Sequence, residues 1–170
     1  MKIKRIAFLF LTSMFILQTF CYAAPQPPPR YQWLESNEDR GVFFDTQTIK
    51  FTKTWDGKPD TQVIDVWLYT ACNNGEVQET IKFRTSRKLN ITGWENLSYY
   101  LDHYQFNFKT NRVIQVAYVY YDAQGNILES NTYTRTNWED IIPGSVGEFW
   151  ITELRKFVSS NWNFVLNRSY

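Results

Sequence analysis

The chain has 170 residues, with 18 Lys and Arg against 17 Asp and Glu, one His and two Cys. That length suits a single domain with one core. The near-neutral balance lacks the basic excess that nucleic acid or an anionic membrane surface would require. Two cysteines cannot build a disulfide scaffold.

The N-terminus reads as an export signal. Lys2, Lys4 and Arg5 precede an apolar run from Ile6 to Phe20, and Cys21-Tyr22-Ala23-Ala24 supplies the small residues of a cleavage site. The run is shorter than the roughly 20 apolar residues of a spanning helix, so no stable membrane span is expected after cleavage. Cutting between Ala23 and Ala24 removes three basic residues and Cys21. It leaves 147 residues, 15 basic against 17 acidic, and Cys72 as a lone, buried thiol. The expected organisation is a signal peptide over 1–23, a Pro-rich spacer over 24–30, one domain over 31–160 and a C-terminal tail over 161–170. Pro25-Gln26-Pro27-Pro28-Pro29 is too proline-rich to join a sheet.

Tyr31–Ser36 predicts a first strand, and Val42–Asp45 and Gln47–Thr54 predict short ones. Thr61–Cys72 is the strongest: Ile64, Val66 and Leu68 alternate with Val63, Trp67 and Tyr69, so both faces are expected to be covered. Asp65 interrupts one face and needs solvent or a partner. Glu76–Leu89 predicts a polar, exposed helix. Tyr99–Phe108 and Val113–Tyr121 predict a hairpin, even residues paired with even ones and buried, across a three-residue turn around Thr110-Asn111-Arg112. Asp122–Asn126 predicts a turn with Gly125 left-handed, and Ile127–Thr134 a polar edge strand. Ser145 and Glu148 predict a capping box, opening a helix with Val146, Phe149, Trp150, Leu154, Phe157 and Val158 as its apolar stripe. The fold class is α+β: an antiparallel sheet of five to six strands with a C-terminal amphipathic helix on one face.

These pieces resemble, in their order, the surface-adhesin protein E family of small exported bacterial proteins. The resemblance lies in Trp33, in Val42-Phe43-Phe44-Asp45 before a short strand ending near Phe51, and in Val63-Ile64-Asp65-Val66-Trp67. It continues through Tyr121–Asn126 and Trp138–Glu148. It implies an antiparallel sheet with a packed helix, a place in or on the bacterial envelope, and adhesion to host proteins. It places no disulfide and no adhesive segment on numbered residues here.

Catalytic signals are sparse. His103 cannot use its neighbour Asp102, which points to the other face of a strand. One His and one Cys exclude a soft-metal site, and no cofactor motif is present. The carboxylate pairs Asp39 with Asp45 and Glu139 with Asp140 keep open a small secreted hydrolase; their other reading is turn capping. Tyr118, Tyr120, Tyr121 and Tyr133 either build the sheet as cross-strand pairs or form a platform for a host or envelope protein or glycan. The leading reading is therefore an exported, non-enzymatic binding protein, periplasmic, cell-surface or secreted. A periplasmic structural or assembly factor is the bland alternative.

Overall fold

The computed structural model describes residues 28–134 and 137–170. The expected signal, its cleavage site at Ala23 and Ala24, and most of the Pro-rich spacer lie outside them. Eight strands form one antiparallel sheet: β1 (Tyr31–Ser36), β2 (Arg40–Asp45), β3 (Lys50–Lys53), β4 (Pro59–Cys72), β5 (Leu97–Asn107), β6 (Arg112–Asp122), β7 (Ile127–Thr132) and β8 (Glu139–Asp140). Their order is β1-β2-β4-β5-β6-β7, with β3 extending beside β4 and β8 beside β6. The class is the α+β expected, with eight strands where five to six were expected; β3 falls within the short strand predicted over Gln47–Thr54, and β8 is a two-residue addition beside β6.

Three helices accompany the sheet: α1 (Asn74–Ser86), α2 (Val146–Ser160) and α3 (Trp162–Asn167). Asn73 caps α1 by accepting from the Gly75 and Glu76 amides at 2.8 and 3.4 Å. Ser145 caps α2 through the Glu148 amide at 3.3 Å, while the Glu148 carboxylate reaches back to the Gly144 amide at 2.7 Å. The capping box thus closes one residue early. The α2 stripe is also rotated from expectation. Ile151, Leu154 and Val158 are buried, whereas Val146 and Phe149 stay largely exposed, because at 100° per residue they fall on the far side of the line through 151, 154 and 158. The expected tail at 161–170 is part of the domain: Val165 and Ser169 are buried, and Ser169 Oγ accepts the Phe51 amide at 2.8 Å.

Both long helices lie on the same face of the sheet. Beneath α2, Phe44, Phe51, Ile64, Val66, Leu68 and Phe106 form the larger core. Beneath α1, Cys72, Val77, Trp94, Leu97 and Tyr100 form a smaller one. Among the described residues no helix covers the opposite face. From Val63 onward the odd residues of β4 are nonetheless half-buried or buried there, since neighbouring aromatic rings shield one another.

The β5–β6 hairpin departs from its expected register. Tyr100 pairs with Tyr120 and Asp102 with Tyr118, even with even, but Tyr104 pairs with Gln115 and Phe106 with Val113. A bulge at Val116 takes up the extra residue. The loop is Phe108–Asn111, four residues instead of three. The Asn107 side chain accepts from the Lys109 and Thr110 amides at 3.0 and 2.9 Å, and Asn111 adopts φ 57°. The bulge reverses which residues of β6 face the helices: Val113 and Gln115 before it, Tyr118 and Tyr120 after it.

Candidate functional site

Consider first the strip of the helix-covered face between the two cores. Asp102 stands on β5 directly opposite Tyr118 on β6. Tyr100 and Tyr104 flank it two residues away along its own strand, on the same face. Tyr120 lies beyond Tyr118, and the Tyr133 ring sits 5.9 Å from that of Tyr118. The rings meet at large angles: 42° between Tyr100 and Tyr120, 68° between Tyr118 and Tyr120, and 62° between Tyr104 and Trp150. They therefore form walls, not a stack. A hollow of about 240 Å³ opens here under α1, lined by Phe83, Arg84, Gln115, Tyr118, Glu129 and Tyr133 among others.

Two carboxylates serve this strip, and their circumstances differ. Glu129 is fully partnered. It accepts from Arg84 Nη2 at 2.7 Å and from the Tyr118 hydroxyl at 2.8 Å. Arg84 in turn lies 3.7 Å over the Trp94 ring and donates to the Asn90 carbonyl at 2.8 Å. Burial acts to raise the Glu129 carboxyl, but the Arg84 and Tyr118 bonds outweigh it and hold it below its ordinary range. Burial, reinforced by the bond to Glu129, pushes the Tyr118 phenol up to about 12. Asp102 has no ion pair among the described residues. It accepts one bond, from Gln115 Nε2 at 2.7 Å. Burial pushes its carboxyl up to about 6, with Gln115 and the more distant charge of Arg40 pulling only weakly the other way.

The opposite face is organised differently. Tyr69, Tyr99 and Tyr121 stack across β4, β5 and β6, the first two diagonally and the last two as direct partners, with centroids 5.1 and 4.7 Å apart and planes within 22°. Tyr31 extends the row from β1. Beside it His103 stacks on Trp67 at 4.7 Å and bonds Asp65, which also accepts from Gln105 Nε2 at 3.2 Å. This answers the expectation for Asp65: its partner is His103. Burial tends to raise the Asp65 carboxyl, but His103, Gln105 and Lys50 together bring it below its usual range.

The four tyrosines read from the sequence are thus divided. Tyr118, Tyr120 and Tyr133 gather around the hollow, and Tyr121 faces the other way. The hydrolase pairs do not assemble. Asp39 and Asp45 stand at opposite ends of β2, about 20 Å apart at 3.3 Å per residue. Asp45 is buried against Arg30 at 3.3 Å and caps its own turn at the Gln47 amide. Asp140 is tied to Arg112 at 2.6 Å on the exposed β8, beside Glu139. Thr48, which lines the same hollow as His103, donates through its hydroxyl to the Asp45 carbonyl. Cys72 is buried, and burial pushes its thiol up. Sequence reasoning passed over Asp102, Gln115, Arg84 and Glu129. An Asp within an otherwise apolar alternation was the one available signal.

The arrangement of sheet and helices matches solved structures. One crystal structure of protein E from non-typeable Haemophilus influenzae aligns over 85% of this chain and 85% of its own, at 12% identity and a TM-score of 0.50. A second crystal form of Haemophilus influenzae protein E aligns over 79% of this chain and 94% of its own, at 10% identity and the same TM-score. The chain has a protein E-like fold. No protein-family profile and no curated protein sequence matches it. At such identities the likeness fixes the path of the protein E-like chain and leaves its surface chemistry to its own residues.

Proposed function

We propose that this protein is an exported, non-enzymatic binding protein of the bacterial envelope that holds a host or envelope partner through Tyr118, Tyr120 and Tyr133. The observation that carries this reading is the gathering of those three rings at the mouth of one hollow, with Tyr133 the most exposed. Tyrosines offer large, rigid contact area and a polar tip, which suits them to anchor a partner. The resemblance to the surface-adhesin protein E family supports a place on or near the cell surface. Export rests on the N-terminal signal, with cleavage between Ala23 and Ala24. No helix among the described residues is long and apolar enough to cross a membrane.

Two measurements test this. Intact-mass analysis of the protein recovered outside the cytoplasm should give Ala24 as the first residue; recovery of the uncut chain in the cytosol would refute export. Tyr133→Ala and Tyr118→Phe should weaken retention of whatever envelope or matrix component the wild type holds, with circular dichroism and melting temperature unchanged. Equal retention by both folded variants removes this surface from consideration.

A further inference from the structure

We propose that the strip around Asp102 is a receptor for an organic ammonium group, with Asp102 as its counter-charge and the surrounding tyrosines as its walls. The inference rests on reading this face as a binding surface and names the chemistry it recognises.

Three observations lead to it. First, Asp102 is a half-buried carboxylate that has one neutral donor and, among the described residues, no cation within 4.0 Å. Arg40, the basic residue whose charge reaches it, is paired instead with Glu76 at 3.6 Å. A carboxylate withdrawn from water without a counter-charge is costly, so such a group is an exception needing a cause. Second, the chain builds the complementary arrangement in full close by. There, Arg84 lies between the face of Trp94 and the carboxylate of Glu129. Around Asp102 the carboxylate and the aromatic rings recur, but among the described residues no cation is paired with it. Third, the Val116 bulge turns Gln115 onto this face. In an unbroken ladder Gln115 would point the other way, and Asp102 would lose the one donor that orients it. Bulges that re-aim a side chain are concentrated beside functional sites.

The ring geometry selects among cations. Tyr118, Tyr120 and Tyr133 meet at steep angles around a hollow of about 240 Å³ that is also lined by Gln115, the donor to Asp102, and that volume admits a small alkylammonium head. Aromatic faces with one carboxylate suit a large, weakly hydrated ammonium. A divalent metal needs several hard oxygen ligands, and no three His, Cys, Asp or Glu side chains gather among the described residues.

The probe is tetramethylammonium chloride, titrated into the mature protein and followed by NMR at the Gln115 side-chain amide and the tyrosine ring protons, with sodium chloride at equal ionic strength as the control. Saturable shifts confined to Gln115, Tyr104, Tyr118 and Tyr120 are expected, absent with sodium. Asp102→Asn should weaken binding about tenfold or more, and Tyr120→Leu should weaken it by a smaller factor, both with unchanged circular dichroism. Non-saturable shifts, equal shifts with sodium, or unchanged affinity in folded Asp102→Asn overturn the proposal. If the ammonium fails to bind while Tyr133→Ala still abolishes partner retention, the ligand chemistry falls and the binding surface stands.

Discussion

The two faces of this sheet are both rich in aromatic rings, yet the rings serve each face differently. On the open face Tyr69, Tyr99 and Tyr121 lie parallel, each ring covering the next. That stack removes apolar area from water without a second layer. On the helix-covered face Phe44, Ile64, Leu68 and Phe106 are buried by α2 and α3, and Tyr104 and Tyr120 pack against the edges of the two cores without stacking. They stand at angles and leave space. The lesson is that parallel rings are consistent with a self-covering surface, and tilted rings around a lone carboxylate with a surface left for something else.

That contrast can be broken, or made sharper, by measurement. The largest effect should come from the covered core: Phe44→Ala is expected to cost about 3–5 kcal/mol in urea unfolding, because the fully buried ring leaves a cavity under α2. A loss below about 1 kcal/mol would mean that α2 does not seal this face.

The next effect concerns Asp102. Its carboxyl holds a proton more tightly folded, at about 6, than the ordinary 3.8. Its contribution to stability is therefore complete below about pH 4 and lost as pH rises through about 6. The difference is at most about 3 kcal/mol between pH 4 and pH 7.5. Asp65 and Glu129, held below their usual ranges, act in the opposite sense and lose stabilisation as pH falls through their folded values. Wild-type stability should pass through a maximum near pH 5, and Asp102→Asn should flatten the alkaline side of the curve. An unchanged alkaline slope in the variant would show that Asp102 is already hydrated or paired.

Tyr99→Ala, in the middle of the parallel stack, is expected to cost about 1–2 kcal/mol, by removing two ring contacts from a half-buried site. A cost equal to that of Phe44→Ala would erase the distinction between the faces. The smallest effect should be that of Trp33→Ala. Trp33 lies on the edge strand β1 and is 55% exposed, so the unfolding free energy in urea should change by no more than a surface substitution changes it, within about 0.5 kcal/mol.

The strands were legible because period-two alternation survives wherever one face is buried. Tyr31–Ser36 was placed to the residue and Thr61–Cys72 to within two at its start. The helix at Val146 was legible from Ser145, and Trp150, Leu154, Phe157 and Val158 of its expected stripe do pack on the core, but Val146 and Phe149 do not. A 3.6-residue pattern with apolar residues on three sides does not say which side meets the sheet. The hairpin loop was misjudged for a related reason. A bulge costs one residue of register and leaves no mark in composition, so Val116 gave no warning that parity would reverse. The candidate site was half legible: three of four chosen tyrosines share the hollow, and Tyr121 does not because the strand alternates.

Sequence by itself determined the class of fold, the strong central strand, the caps and the scarcity of reactive groups, since each of these is a property of neighbours along the chain. Tertiary structure alone decided that Arg84 meets Glu129 and Asp65 meets His103, while Asp102, among the described residues, accepts from Gln115. Those pairings join residues 13 to 45 positions apart. They depend on strand register and on one inserted residue at Val116, and no local pattern encodes where a ladder slips.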